Sequence, residues 1–158
     1  LLMLITENNK MSDWLVLEQD IDILLQFVFS EIIEKKIGID APCFVYNFPK
    51  SQASLARICP DDDRVALRFE CYYQGVELVN GFNELTDCDS QLQRFQSDND
   101  KRKQMKLAKR PVDYNFISAL SHGLPQCAGV ALGIDRLIML ALKTTHIEQV
   151  LSFPVESA

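Results

Sequence analysis

The sequence predicts an α+β fold in which helices flank an antiparallel sheet. Three observations lead there. Runs rich in β-branched and aromatic residues occur at 42–49, 65–73 and 76–82. Only Gln74-Gly75 separates the second run from the third, and so short a connection joins antiparallel neighbours. Amphipathic, charge-bearing stretches of helical period lie on either side.

Taken in order, residues 14–36 carry Leu17, Ile21, Leu24, Leu25, Val28, Ile32 and Ile33 at nearly helical spacing, predicting one helix that ends near Gly38. Pro42 and Pro49 bracket a strand, and Asp61-Asp62-Asp63 after Pro60 reads as a turn. The hairpin follows. From Asp89 to about Lys109 the period is helical again, with Asp87, Asp89 or Ser90 as cap and Pro111 as stop. A short helix is expected at 113–121, closed by Gly123 and Pro125. Gly129 to Gly133 then reads as a glycine-punctuated strand that runs into a helix over 134–142, and 151–154 as a last short strand or hook.

The 158 residues, 47% hydrophobic and 24% charged, suit one domain spanning 1–158. Sixteen basic against 22 acidic side chains leave a net charge of −6, which disfavours a nucleic-acid backbone as partner. Five dispersed cysteines, none in C-x-x-C spacing, point to reduced, buried thiols of a cytoplasmic protein. No apolar stretch approaches the roughly 20 residues of a membrane helix. The chain opens on Leu1-Leu2 and is expected to be a piece of something longer.

Four groups of residues carry candidate chemistry. With Gln74-Gly75 as the loop, Tyr72 pairs with Glu77 and Glu70 with Val79, so Glu70 and Glu77 share a face. Two such hard oxygen donors can hold Mg²⁺ and leave positions open for phosphate, although a solvated sheet face carries the same residues. Arg68 falls on that face too. Asn80 and Glu84 can receive an ammonium group, with Phe82 as a wall. Gly129, Ala131 and Gly133 leave one strand face nearly bare, a surface for a flat ring, and Arg136 follows at the helix start. Lys101 to Arg110 holds six basic residues in ten, fitting a solvated helix end that complements the helix dipole, or else contact with an acidic macromolecular partner or RNA. His122 and His146 stand apart from ligand-type neighbours and are assigned no role.

Arg68-Phe69-Glu70, the run Gly75-Val76-Glu77-Leu78-Val79-Asn80-Gly81-Phe82-Asn83-Glu84-Leu85-Thr86-Asp87, Gln93-Arg94-Phe95 and Gly129-Val-Ala-Leu-Gly133-Ile134-Asp135-Arg136 together resemble the C-terminal half of class II lysyl-tRNA synthetases. The last segment is similar to the third signature motif of the class. Phe44-Val45-Tyr46-Asn47-Phe48-Pro49 and Ser51 to Ala56 resemble more closely the elongation factor P (R)-β-lysine ligase family, a paralogue without an anticodon-binding domain. Ala131 stands where true lysyl-tRNA synthetases usually have glycine. One methyl group in an amino-acid pocket is worth about 1 to 3 kcal/mol of discrimination.

The resemblance implies part of a class II catalytic domain and a ligase that activates (R)-β-lysine with ATP and Mg²⁺ for transfer to a lysine of elongation factor P. It further implies Glu70 and Glu77 on Mg²⁺ and phosphates, the Glu77-Leu78 backbone and Gly133 beside the nucleotide, and Arg136 packed on it as the catalytic cation. Asn80, Phe82, Glu84 and Ala131 would line the lysine subsite. A complete protein of this kind is expected to be a homodimer. A genuine lysyl-tRNA synthetase, with transfer RNA as the less favoured acceptor, is the second reading, and a degenerate interaction module the third. The first two class II motifs have no counterpart in the sequence, so the chain alone is expected to bind nucleotide weakly and catalyse nothing.

Overall fold

The computed structural model describes residues 1–10 and 12–154. The helix expected over 14–36 is broken. The chain forms α1 (Leu2–Glu7), which the sequence reading did not anticipate, then α2 (Asp13–Leu17) and α3 (Ile21–Val28). The break lies at 18–20, where acidic side chains compete for backbone donors. Glu18 Oε1 accepts from the Gln19 and Asp20 N–H groups at 2.9 and 2.8 Å, and the Asp20 carboxylate caps α3 by accepting from Asp22 N–H at 2.8 Å. Beyond α3 a π turn (Phe29–Ile33) and a 3₁₀ turn (Glu34–Lys36) lead to Gly38. Its φ of +66° is one glycine tolerates, and a Cβ there would overlap the Tyr72 carbonyl.

Strands β1 (Cys43–Pro49), β2 (Val65–Tyr73), β3 (Val76–Asn83) and β4 (Ala128–Leu132) form one antiparallel sheet in the order β1-β2-β3-β4. The predicted hairpin is present. Gln74 (φ +51°) and Gly75 (φ +72°) both take positive φ, as a type I′ turn requires.

The register set by that loop does not persist. Continued regularly, it would put Asn80 opposite Phe69, yet Asn80 meets Glu70, and a Cβ on Gly81 would overlap the Phe69 ring. Both contacts are offset by one residue. Asn80 also reaches Glu77, three positions away, whereas a regular strand points such residues to opposite faces. One extra residue therefore lies in β3 between Glu77 and Asn80, as in a β-bulge.

Helix α4 (Cys88–Gln104) starts on Asp87, whose carboxylate accepts from Ser90 N–H at 2.8 Å. It ends five residues short of the expected Lys109, because the chain turns at Lys106, φ +58°. Helix α5 (Tyr114–Ser121), capped by Asp113, and α6 (Ile134–Ala141), directly after β4, match their predicted places. No strand forms at 151–154. Among the five thiols only Cys71 is buried, and Cys127 is exposed, so the expectation of buried cysteines holds for one.

The residues group into two compact units. The first comprises Leu1–Tyr46, Phe69–Gly81 and Val130–Ala158, with a core of Ile5, Leu15, Leu24, Val28 and Ile32. The second comprises Asn47–Arg68 and Phe82–Gly129, with Ala53, Ala56 and Ala66 packed under Ile58 and Phe82.

Candidate functional site

In the first unit the hairpin gathers a polar cluster. Glu70 is only 4% exposed, an unusual burial for a carboxylate, and it accepts from the Tyr72 hydroxyl and from Asn80 Nδ2, the latter at 3.0 Å. The same Nδ2 lies 3.5 Å from Glu77 Oε1, so one amide nitrogen is flanked by two carboxylates. The opposite atom of that amide, Asn80 Oδ1, is buried and has no hydrogen-bond partner among the described residues. An acceptor in that condition is costly unless a donor completes it.

Tyr72 is buried, and burial in the first place, then its bond to Glu70, pushes its phenol above the usual range. It therefore remains a donor at neutral pH. Glu34, from the 3₁₀ turn after the π segment, belongs to this neighbourhood. Desolvation, followed by repulsion from Glu77 and Glu70, raises its carboxyl pKa above the ordinary 4.5. Neither residue was singled out from the sequence. For Tyr72 the signal existed, since period two puts it beside Glu70. For Glu34 there was none, because 36 residues of chain separate it from Glu70.

The turn from β4 into α6 closes on the same strand. Gly133 N–H donates to the Leu78 carbonyl at 2.9 Å. Arg136, in the first turn of α6, donates to the Glu77 carbonyl at 2.7 Å and stands 3.5 Å from its carboxylate. With side chains 46% and 33% exposed, that ion pair contributes at most about 1 kcal/mol. Gly133 caps α6 rather than continuing the strand, and the Arg136 side chain lies against its bare Cα. Ala131 is exposed on β4.

The second unit holds the other predicted residues. Glu84 N–H donates to the Cys127 carbonyl at 3.0 Å, and its carboxylate occupies the space a Cβ on Gly129 would fill. The small residue at 129 thus makes room for a carboxylate, a more particular role than the flat face expected of it. Phe82 and Phe48 receive the Arg68 guanidinium, 5.9 and 4.6 Å from their ring centroids, and Arg68 donates to the Gln52 carbonyl at 2.9 Å. Among the described residues no three His, Cys, Asp or Glu side chains form a ready-made metal cage. Nor, among the described residues, is any helix long and apolar enough to cross a membrane.

The family of class II tRNA synthetases (D, K and N) matches residues 15–157. Curated relatives are named elongation factor P (R)-β-lysine ligase. The protein of Vibrio parahaemolyticus is 61% identical over 137 residues, covering 87% of this chain and 42% of the relative. That of Photobacterium profundum is 60% identical over 141 residues, 89% of this chain and 44% of the relative. That of Sodalis glossinidius is 55% identical over 141 residues, 89% and 43%. The chain thus spans little more than two fifths of the curated relatives it matches.

Proposed function

The chain belongs to the class II tRNA synthetases (D, K and N), and on that premise we propose that it is the C-terminal portion of the catalytic domain of an ATP-dependent ligase. The ligase activates (R)-β-lysine as an adenylate and transfers it to a lysine of elongation factor P. The naming of relatives at 55–61% identity supports the substrate and the acceptor. The observation in the structure that carries the reading is Asn80, whose nitrogen serves two carboxylates while its buried oxygen still lacks a donor. An ammonium group of the amino acid supplies that donor beside negative charge.

Glu70 and Glu77 fit Mg²⁺ by their chemistry, being hard oxygen donors of the number a nucleotide-bound Mg²⁺ takes from protein. Bound there, the ion supplies neutralisation of phosphate charge. Arg136 offers a guanidinium at the nucleotide, and the Glu77-Leu78 backbone, tied to Arg136 and Gly133, forms its edge. Glu84 holds a second amino group of the substrate, walled by Phe82. The substrate carboxylate attacks the α-phosphate of ATP, and pyrophosphate leaves. The acceptor lysine amine then attacks the adenylate carbonyl, AMP leaves, and the amine's proton is lost to solvent. The complete protein acts in the cytoplasm as a homodimer. This portion alone binds nucleotide weakly and does not turn over.

The test is ATP–pyrophosphate exchange by the complete parent protein with (R)-β-lysine against L-α-lysine. Preference for the β isomer is expected. Preference for the α isomer returns the protein to the lysyl-tRNA synthetases, and exchange with neither makes it a degenerate module.

A further inference from the structure

The basic run Lys101 to Arg110 takes no part in the chemistry above, and its conformation differs from the expected helix end. Lys101, Arg102 and Lys103 lie in the last turn of α4, where the helix dipole accounts for cations. Lys106, Lys109 and Arg110 lie beyond the helix, out of the dipole's range. They belong to a loop folded back on α4 and held at several points. Leu107 N–H donates to the Arg102 carbonyl at 2.8 Å, and Arg102 Nε to the Ala108 carbonyl at 2.7 Å. Asn99 bonds the backbone of Arg110 twice, at 2.9 and 2.8 Å. The loop is therefore pre-organised; Lys106, Lys109 and Arg110 are exposed upon it, and Lys103 is exposed at the end of α4 beside it.

Beside this loop, within the same unit, lies a cleft of about 470 Å³. Phe95, Pro111 and Val112 line it together with Arg102 and Arg110. Two carboxylates also reach it, Asp98 and Asp113, of which Asp113 is engaged as the cap of α5. Met105 and Leu107, 51% and 50% exposed, add apolar surface between the lysines. An apolar patch rimmed by cations is the composition of a protein-binding surface. RNA is served less well. The chain as a whole is acidic, which opposes a phosphate backbone.

We propose that the pinned loop 105–110 and its adjoining cleft dock an acidic face of the protein acceptor, separately from the residues that activate the amino acid. This inference rests on the proposed reading that the acceptor is a protein, elongation factor P. Charge complementarity of this kind acts on encounter and on salt dependence more than on chemistry.

The test uses the complete parent protein carrying Lys103→Glu, Lys106→Glu and Lys109→Glu together, with the three Lys→Gln changes as a graded second variant. Amino-acid-dependent ATP–pyrophosphate exchange is expected to stay at the unsubstituted level, which also reports correct folding. The KM for elongation factor P in acyl transfer is expected to rise at least about tenfold in the Glu variant and less in the Gln variant, with loss of the salt dependence of KM. An unchanged acceptor KM in both variants overturns the inference, as does an equal loss of exchange and transfer. Failure of the unsubstituted protein to acylate elongation factor P while still exchanging pyrophosphate overturns the acceptor reading, and this inference with it. Measuring that protein first keeps the two failures apart.

Discussion

Gly129→Ala separates activity from stability. A Cβ at position 129 overlaps one atom group, the Glu84 carboxylate, and the backbone there needs no positive φ. The obstacle is the far end of a flexible side chain, so the carboxylate moves and the strand stays. A retreat of about 1 Å removes the overlap, and misplacement on that scale costs up to about a hundredfold in a catalytic site. On the proposed reading, the interaction at risk is a charge-assisted hydrogen bond to a substrate ammonium, worth about 1.5 to 3 kcal/mol, or roughly 10- to 150-fold in affinity. Loss of glycine's freedom in the unfolded chain acts the other way on folding and stabilises by about 0.4 to 1 kcal/mol. In the complete protein the KM for (R)-β-lysine in pyrophosphate exchange should therefore rise by one to two orders of magnitude, with the KM for ATP little changed and Tm held or raised. An unaltered lysine KM would refute the placement of Glu84 in the amino-acid subsite. A fall in Tm would refute the claim that the side chain, and not the strand, absorbs the methyl group.

Glu84→Gln removes the charge without the displacement and should abolish lysine-dependent exchange in the complete protein; unchanged exchange removes Glu84 from the site. Gly38→Ala should destabilise severely, since φ +66° alone costs an alanine about 1 to 3 kcal/mol and the added Cβ overlaps the backbone of Tyr72; an unchanged denaturant midpoint contradicts it. Asp20→Ala should lower stability by about 1 kcal/mol through loss of the α3 cap, seen as a shifted urea midpoint at constant slope. Glu34 gives a pH dependence. Because its folded pKa lies above the ordinary 4.5, stability present below that value is lost as pH rises through the folded pKa. Relative to the unsubstituted chain, Glu34→Gln should make no difference near pH 4 and stabilise increasingly above it; a difference independent of pH excludes the carboxylate repulsion.

What the sequence made legible follows from where the determinants are local. The hairpin was readable because Gln74-Gly75 supplies two residues that accept positive φ, and the caps at Asp87 and Asp113 because short acidic side chains find N–H groups two or three residues on. Glu70, Glu77, Asn80 and Arg136 were legible as chemistry, and the structure gathers the first three on the β2-β3 pair, with Arg136 reaching Glu77 from α6. Glu84 was legible too, but its partnership with Gly129 was not, since only tertiary packing brings position 129 against it. The break at 18–20 was missed because hydrophobic period continues straight through it, while Glu18 and Asp20 draw the backbone N–H groups away. The bulge in β3 was missed for a related reason. Nothing in Leu78-Val79 breaks the alternation, and the extra residue shows only where β3 meets β2.

That extra residue decides what the site can be. In a regular hairpin Glu70 and Glu77 share one face and Asn80 faces away with Leu78, toward the buried side. The two carboxylates would then stand as neighbours with no donor from β3 between them. With the bulge, Asn80 turns to their side and places one N–H₂ group within reach of both, supplying charge-assisted hydrogen bonds to each. One inserted residue thus gives the two carboxylates a shared donor and leaves a buried acceptor without a donor among the described residues. That acceptor favours an occupant able to donate a hydrogen bond, as an amino group does.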